Sequence, residues 1–374
     1  MGDVAPHPRD QLGVSDVAQK WFRAWGRGLA LQRSSKQGGI LNRLAAAWRW
    51  ACRWRAARPW QTLHMSSPHR PALAPDLPPA LPPELAGRLQ PLASLAPARL
   101  AALHGVLTDI DDTLTDNGAI QPAALAALQQ LQAAGVPVIA ITGRPVGWSL
   151  PFARAWPLAA IVAENGAVLL RRQGQAAGPD ALLQQDFVAD AASRAANTLR
   201  LQACARAVLA AVRAARLAED SAGRLTDIAV DHSEFHTLDA QQITQVLVVM
   251  RAHGLTASVS SIHINGWIGE HDKYSGAAWA VAALFGQPFK PAQWLYLGDS
   301  TNDQVMFERL PLSVGVANIA RFVPQLRWLP GYVTRAERGD GFAELATALL
   351  AARASTGMAA GVAAGVAARA SPGR

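Results

Sequence analysis

The fold of this chain is decided by one short stretch, residues 106–115, which reads VLTDIDDTLT. It opens with the aliphatic residues that buried strands favour, and three carboxylates follow: Asp109, Asp111 and Asp112. Carboxylates this close repel one another unless a proton or a cation lies between them. Mg²⁺ suits the place because it takes oxygen ligands, and open α/β sheets bind ligands at the carboxyl ends of their strands. The stretch therefore predicts a buried strand that ends in a magnesium site.

The composition allows one large domain with an insertion, or two domains, with tails in either case. Half of the 374 residues are apolar, which is enough for a substantial core. The net charge of +8 is unevenly spread, because residues 1–70 carry +9 and the remainder of the chain carries −1. The basic charge is therefore a property of the amino-terminal region and indicates nothing about the acidic stretch.

The cysteine content and the hydropathy pattern bear on location. The two cysteines, Cys52 and Cys204, lie far apart and form neither a disulfide framework nor a cysteine metal site. A reducing cytoplasm is then the default expectation. No run of eighteen apolar residues occurs, so no transmembrane span is predicted.

The two ends of the chain differ in composition from its middle. Residues 1–64 mix Trp and Arg without a single apolar face, which leaves two interpretations open. One is an arm that makes weak contacts with anionic lipid or nucleic acid. The other, which we favour, is a disordered extension or sequence upstream of a later start at Met65. Residues 65–100 are Pro-rich and predict a linker, and the Ala/Gly-rich residues 351–374 predict a disordered tail.

Further predicted strands also end in polar residues. They cover residues 136–141, 160–163 and 294–297, and a helix is predicted over 122–134. The polar residues at the strand ends are Thr142, Gly143 and Arg144, then Asn165, then Asp299, Asn302 and Asp303. Lys273 lies at the start of another predicted helix. Parallel strands would bring these side chains to one edge of a sheet.

A long segment, residues 172–264, separates the third of these strands from Lys273. Its periodicity predicts helices over 189–217 and 240–253 and strands over 228–230 and 257–264. Its histidines are weaker candidates for substrate contact, and they do not form a transition-metal site: His232, His236 and His263.

In this order the motifs resemble those of the haloacid dehalogenase superfamily of phosphatases and phosphotransferases. The first motif of that superfamily is Asp-x-Asp-x-Thr, which here spans Asp109–Thr113, with Asp112 where many members have Gly. The other three motifs match Thr142, Lys273 and the Gly-Asp-x-x-Asn-Asp run at 298–303. The resemblance covers about residues 100–350.

The resemblance implies an α/β fold: a Rossmann-like parallel sheet core of the haloacid dehalogenase type with an inserted α+β C2-type cap. The core would comprise residues 101–171 and 265–350, and the cap residues 172–264. Members with such caps form the IIB subfamily, which includes sugar-phosphate phosphatases. The cap would roof the site and select the substrate.

The resemblance also implies roles for single residues. Asp109 would attack phosphorus, Asp111 would protonate the leaving oxygen and then activate water, and Lys273 would offset the negative charges that meet there. The implied Mg²⁺ ligands are Asp109, Asp111 through its backbone carbonyl, Asp299 and Asp303. The implied phosphate and substrate contacts are Thr142, Gly143, Arg144, Asn165 and Asn302. For Asn165, an ordinary Asn-Gly turn between two strands is an equal alternative.

The implied activity is Mg²⁺-dependent hydrolysis of a small phosphorylated metabolite, in particular a sugar phosphate, through an aspartyl phosphate. The alternatives are a phosphomutase or other phosphotransferase, and a non-catalytic protein that binds a phosphometabolite. The complete motif set argues against the non-catalytic alternative. The expected partner is the metabolite, with no obligate nucleic acid, and the sequence does not indicate an oligomeric state.

Overall fold

The computed structural model describes residues 89–174, 178 and 180–369. The strands of this part of the chain are β1 (Gln90–Pro91), β2 (Gly105–Thr108), β3 (Thr115–Asp116), β4 (Ala119–Ile120), β5 (Val138–Ile141), β6 (Ala160–Ala163), β7 (Val168–Arg172), β8 (Leu183–Phe187), β9 (Arg216–Leu217), β10 (Asp227–Asp231), β11 (Thr256–Val259), β12 (His263–Trp267), β13 (Trp294–Gly298), β14 (Ser313–Gly315) and β15 (Tyr332–Val333). The helices are α1 (Pro97–Ala101), α2 (Pro122–Ala133), α3 (Val146–Ala155), α4 (Ala191–Ala211), α5 (Ala240–Ala252), α6 (Lys273–Phe285), α7 (Gln304–Arg309) and α8 (Arg338–Arg369).

The main sheet is built on short aliphatic strands that are buried along their whole length. Strands β2, β5 and β6 read GVLT, VIAI and AIVA, and every residue in them is buried. Such runs are typical of parallel strands that are covered on both faces. The spatial order is β1-β15-β14-β13-β2-β5-β6-β7-β8, parallel from β1 to β6 and antiparallel at β7 and β8. The predicted α/β fold with a mostly parallel sheet is confirmed.

The direction of chain travel reverses at β2, which places a crevice there. From β2 the chain continues to β5 and β6 on one side, and later to β13 and β14 on the other. Open α/β sheets bind ligands beyond the carboxyl ends of their strands at such a reversal. The ends of β2, β5 and β13 are the places where the sequence puts its first, second and fourth motifs.

A second, antiparallel sheet lies in the segment between β8 and α6. Its strands run in the order β11-β12-β10-β9, and helices α4 and α5 pack against one of its faces. Alternation along β12 sends Ile264 toward the helices and leaves the side chains of His263 and Asn265 on the opposite face. That opposite face meets the carboxyl edge of the main sheet, where Asn265 Nδ2 donates to the carbonyl of Gly143 at 3.2 Å.

A buried carboxylate, that of Glu164, joins the second-sheet segment to the main sheet. It accepts hydrogen bonds from the backbone N–H of Val146 at the start of α3 and from Leu225 and Thr226 ahead of β10. Burial and, after it, nearby Asp227 raise the pKa of Glu164, the hydrogen bonds from Thr226 and Val146 lower it, and the net pKa is about 7. No pattern in the sequence indicates this role for Glu164.

Strand pairing crosses both ends of the segment that is predicted as an insertion, residues 172–264. Strand β8 pairs with β7 in the main sheet, although it lies within 172–264, whereas β12 belongs to the second sheet and extends beyond residue 264. The single strand predicted over 257–264 is wrong, because the chain turns there and forms the hairpin β11–β12. The Ser260 hydroxyl stabilises that turn by accepting from the backbone N–H of Ile262 and His263. The division into a core and a C2-type cap stays a prediction.

The predictions of an irregular linker over residues 65–100 and of a disordered tail over residues 351–374 both need correction. The Pro-rich linker predicted over 65–100 is wrong from residue 89, since β1 pairs with β15 and Leu92 and Leu100 are buried. The disordered tail predicted over 351–374 is wrong up to Arg369, where α8 ends. Alanine is the strongest helix former, and its abundance there outweighs the glycines. The predictions for residues 1–64 and for the rest of the linker lie outside the described residues.

Among the described residues, no helix combines the length and the apolarity that a membrane span requires. The predicted helix over 122–134 is confirmed as α2, whose first residue is Pro122 and which buries Leu128 and Leu131.

Gly166 fixes the position of α6 against the sheet. It follows Asn165 in the turn between β6 and β7 and has a φ of +111°, which L-residues with side chains rarely adopt. A Cβ at Gly166 would lie 2.2 Å from the carbonyl oxygen of Asp272, the residue that precedes α6. Asn165 and Gly166 thus lie in a turn between β6 and β7, and both reasons require glycine at residue 166, while a substrate contact by Asn165 stays a prediction.

We predict that Gly166→Ala lowers the free energy of unfolding by about 2 kcal/mol or more, because backbone strain and overpacking add. Gly286→Ala is the matched control, since Gly286 has a φ of +66° but no atom within 4 Å of its added Cβ, so it reports strain alone. Urea unfolding of both variants gives the comparison. Equal losses would contradict the close contact with Asp272.

Candidate active site

The first motif places one carboxylate, that of Asp109, directly at the end of β2. Its backbone N–H donates to the carbonyl of Leu297 in β13, so the loop leaves the sheet at a fixed angle. The Ile110 N–H donates to Asp109 Oδ1 at 2.8 Å, while Oδ2 faces Lys273 Nζ at 3.0 Å. Burial raises the pKa of Asp109 and Lys273 opposes that rise, with a net pKa of about 7. The Ile110 N–H thus binds one oxygen of Asp109, and the other oxygen faces the ammonium group of Lys273.

Lys273 is the first residue of α6 and is almost completely buried. Asp272 caps the helix by accepting from Ser275 N–H, and this fixes where the lysine lies. Lys273 Nζ donates to Asp303 Oδ1 at 2.7 Å in addition to its contact with Asp109. Burial lowers the pKa of Lys273, but the two carboxylates outweigh burial and the net shift is upward. The side chain is therefore an ammonium group between two carboxylates.

The fourth motif supplies two buried carboxylates with different surroundings. Asp303 is fully engaged: Oδ1 accepts from Lys273 and from the Tyr296 hydroxyl, and Oδ2 accepts from the N–H groups of Asp299 and Ser300 at 2.8 and 3.0 Å. Asp299 is not, because its Oδ1 has no hydrogen-bond partner among the described residues. Burial first, and the nearby Asp303 and Asp109 after it, raise the pKa of Asp299 well above its usual range.

These carboxylates fit a hard cation. Asp109, Asp299 and Asp303 each offer an oxygen, and the three oxygens lie within 4.8 Å of one another. The set contains oxygen donors alone, which suits Mg²⁺, and the unpartnered Asp299 Oδ1 is a buried acceptor that a cation would satisfy. Asp303 is already bound by four donors, so its structural task is to orient Lys273 and the loop. The Asp111 carboxylate faces away from this group and binds Arg144.

Arg144 connects the first motif to the second-sheet segment. Its guanidinium binds Asp111 through Nε and Nη2, at 3.0 and 2.9 Å, and also contacts Asp220 at 3.3 Å and Glu234 at 2.7 Å. The ring of Trp148 lies 5.0 Å below it. Every guanidinium nitrogen of Arg144 therefore has a carboxylate partner. Arg144, which the resemblance assigns to phosphate binding, uses its guanidinium in these ion pairs.

The remaining predicted contacts gather near the end of β5. Thr142 Oγ1 accepts from the Arg144 N–H at 3.0 Å, and the Thr142 carbonyl accepts from the Asn165 N–H at 3.0 Å. Asn165 is buried and its Nδ2 has no partner in the described part of the chain. Asn302 accepts from the Ser300 hydroxyl at 3.0 Å. Gly143 offers its carbonyl to the second-sheet segment, as described for Asn265.

The face of the second sheet adds polar groups that the sequence assigned weakly or not at all. Arg224 binds Asp227 and Asp220 and donates to the Gly143 carbonyl at 3.0 Å. His263 Nε2 lies 2.8 Å from Glu234 Oε2. Of the three histidines, His263 reaches the site, whereas His232 and His236 bind the carbonyls of Ser260 and Ala214. Alternation along β12 was the one sequence signal that could have identified Asn265 together with His263.

A small cavity lies between the carboxyl edge of the main sheet and the facing side of the second sheet. With its open mouth it measures about 240 Å³. Its lining combines motif residues with the β11–β12 turn: Asp109, Asp111, Gly143, Arg144, Ser260, Ser261, Ile262, His263, Asn265 and Asn302. The Ser261 hydroxyl is buried and has no partner among the described residues. In this conformation the enclosed part of the cavity has room for about one water-sized molecule beside Asp109.

Comparison with known proteins finds a related family over part of the chain. The profile of the haloacid dehalogenase-like hydrolases matches residues 106–254, which include the first two motifs. No curated protein sequence matches the chain. A solved structure from Thermoplasma acidophilum is similar, with a TM-score of 0.50 and 16% identity over 66% of this chain and 98% of that chain. At that identity the likeness shows the fold.

Two other solved structures are similar at lower scores. The sucrose-phosphatase from Synechocystis sp. PCC6803, in complex with sucrose and phosphate, has a TM-score of 0.47 and 17% identity over 66% of this chain and 98% of its own. A phosphatase of the haloalkanoate superfamily from Bacteroides thetaiotaomicron has a TM-score of 0.45 and 16% identity over 70% and 98%. Over residues 106–254 this chain is thus similar to the haloacid dehalogenase-like hydrolases, and the Thermoplasma acidophilum structure shows the same fold.

Proposed function

We propose that this enzyme is a Mg²⁺-dependent phosphatase that hydrolyses a small sugar phosphate through an aspartyl phosphate on Asp109. The observation that supports this most is the position of Lys273 Nζ, 3.0 Å from Asp109 Oδ2 and 2.7 Å from Asp303 Oδ1. A nucleophilic carboxylate and a phosphate are both negative, so their approach requires a fixed positive charge between them. The buried ammonium group of Lys273 supplies that positive charge.

The first chemical step belongs to Asp109. Its carboxylate oxygen attacks phosphorus, the bond from phosphorus to the leaving oxygen breaks, and Lys273 stays against the phosphoryl oxygens. Mg²⁺, held by Asp109 and Asp299, supplies charge neutralisation and orientation when it is bound. Asp303 acts through Lys273, whose ammonium group it positions. Further phosphoryl contacts are assigned to Thr142 and Asn165, because the unpartnered Asn165 Nδ2 is a hydrogen-bond donor next to Thr142.

Asp111 is the proton carrier of the proposal. It protonates the leaving oxygen and then takes a proton from the water that hydrolyses the aspartyl phosphate. In the structure its carboxylate is bound by Arg144, so it must turn away from that partner to act. Arg144 keeps Asp220 and Glu234 when it does so, and no bare charge is left buried. Arg144 is thereby a link between the proton carrier and the second-sheet segment.

The charges around the cavity favour a neutral leaving group. The cations that line or face it, Arg144 and Lys273, already have carboxylate partners, and Glu234 adds a negative charge near its wall. A second anionic group on the substrate would find no unpaired cation among the described lining residues. Hydroxyl groups suit the site better, because Ser261 and Asn265 can exchange hydrogen bonds with them. These features support a sugar phosphate, with the second-sheet segment acting as the C2-type cap that selects it.

Hydrolysis and phosphoryl transfer to another acceptor share this first step. Release of inorganic phosphate into solution distinguishes them, and a phosphomutase would instead return an isomeric phosphate ester. The cytoplasmic location stays part of the proposal, supported by the scarcity of cysteine.

We expect Asp109→Asn to reduce Mg²⁺-dependent phosphate release by about a thousandfold or more, because the isosteric amide cannot act as the nucleophile. The measurement is phosphate release from p-nitrophenyl phosphate and a panel of sugar phosphates. Asp186→Asn is the control, because Asp186 pairs with Arg171 at the edge strand β8, away from the site. Turnover within tenfold of the wild type in a folded Asp109→Asn variant would contradict the assignment.

Ser261 allows a separate test of the substrate class. We expect Ser261→Ala to lower kcat/KM for the preferred sugar phosphate by about tenfold, the value of one hydrogen bond, and to leave p-nitrophenyl phosphate hydrolysis unchanged. The free protein loses no contact, since this hydroxyl has no partner in the described structure. Ser149→Ala is the matched control, because Ser149 has an equally buried, unpartnered hydroxyl on α3 and does not line the cavity. Equal effects of both variants on both substrates would exclude a selecting role for Ser261.

A further inference from the structure

Asn318 ties together the loops that carry the two proposed metal carboxylates. It lies in the short 3-10 turn Ala317–Arg321 after β14. Its Nδ2 donates to the backbone carbonyl of Asp112 at 3.0 Å and lies 3.4 Å from Asp299 Oδ2. Its Oδ1 accepts from the Arg338 N–H at 2.9 Å, so the amide can point its NH₂ group in one direction. One neutral side chain thus bridges the first and fourth motifs.

The two oxygens of Asp299 are unequal because of this bridge. Oδ2 faces Asn318 and Arg321, the latter at 3.5 Å, while Oδ1 has no partner among the described residues. Asp299 is completely buried, and a buried charge is costly unless its lone pairs are satisfied. The contacts with Oδ2 therefore leave Oδ1 as the oxygen that a cation would bind.

Asp112 secures the other end of the bridge, and it is the residue that departs from the glycine of many relatives. Its φ of +54° lies in the left-handed region that Gly favours. Its carboxylate binds Arg321 Nη2 at 2.8 Å and Arg338 Nε at 3.1 Å. Both arginines are partly exposed, so each pair alone contributes little, but the two pairs share one carboxylate. Together they hold the backbone carbonyl of Asp112 toward Asn318.

We propose that Asn318 is a positioning residue of the metal site: it aims Asp299 Oδ1 at the cation, and Asp112 anchors it. This inference rests on the proposed Mg²⁺ site. Carboxylates that bind metals are commonly held by such outer hydrogen bonds, and their loss lowers metal affinity by about 10- to 100-fold. Asn318 itself touches neither the substrate nor the cation in this scheme.

The test is the dissociation constant of Mn²⁺, measured by electron paramagnetic resonance on the full chain without substrate. For Asn318→Ala we expect an increase of about 10- to 100-fold, and because no charge is removed the change reports geometry. Asn197→Ala on α4 is the matched control, since it removes the same group far from the site and should stay within about twofold of the wild type. With saturating Mg²⁺ the turnover of Asn318→Ala should return to within about threefold, which a general structural defect would not allow.

A second variant covers the case in which Asn318→Ala fails to fold. Asp112→Gly suits the left-handed backbone and keeps the carbonyl, but it loses both ion pairs, so Mn²⁺ affinity should fall by at least about threefold. Unchanged affinity in the folded variants, alongside a wild type that binds Mn²⁺, would overturn the positioning role and leave the proposed phosphatase intact. A wild type that binds no Mn²⁺ at millimolar concentration would overturn both.

Discussion

The rest of the structure depends on one buried ammonium group held between two buried carboxylates. Lys273 lies 3.0 Å from Asp109 and 2.7 Å from Asp303, and all three side chains are almost inaccessible to water. None of these charges could be buried alone at acceptable cost, so each requires the others. Because they come from the end of β2, the start of α6 and the loop after β13, their pairing fixes how these elements meet.

The carboxylates of the site differ in how many hydrogen-bond partners they have. Asp303 is bound by Lys273, Tyr296 and two backbone N–H groups, which leaves it little capacity for a cation. Asp299 retains an oxygen with no partner among the described residues, whereas Asp109 has one oxygen bound by the Ile110 N–H and the other 3.0 Å from Lys273 Nζ. Asp111 is bound by Arg144, which also forms an ion pair with Glu234 of the second-sheet segment. Burial first, and the neighbouring carboxylates after it, raise the pKa of Asp109 and of Asp299. The different partners separate the carboxylates to which the proposal assigns metal binding, nucleophilic attack and proton transfer.

The sequence predicted the parts of this arrangement that depend on local order. Asp109, Thr142 and Asp299 each follow a short aliphatic strand directly, so strand ends and the parallel sheet place them without further information. It did not predict the partners of Arg144, because Asp220 and Glu234 lie 76 and 90 positions away and nothing local marks a long-range ion pair. The sequence did not reveal the hairpin at Ser260 because Val259, Ile262 and Ile264 resemble one alternating strand, although the three-residue interval from Val259 to Ile262 breaks the alternation. It did not reveal the length of α8 because an Ala/Gly-rich composition is also typical of disorder.

The central claim is that Asp109 becomes covalently phosphorylated, and rapid acid quenching tests it most directly. The wild-type enzyme would be mixed with p-nitrophenyl phosphate and Mg²⁺, quenched within one turnover, digested and analysed by mass spectrometry. The account predicts one phosphoryl group on Asp109, appearing before free phosphate accumulates and decaying as phosphate is released. Phosphate release with an unmodified Asp109, or with the phosphoryl group on another residue, would contradict it.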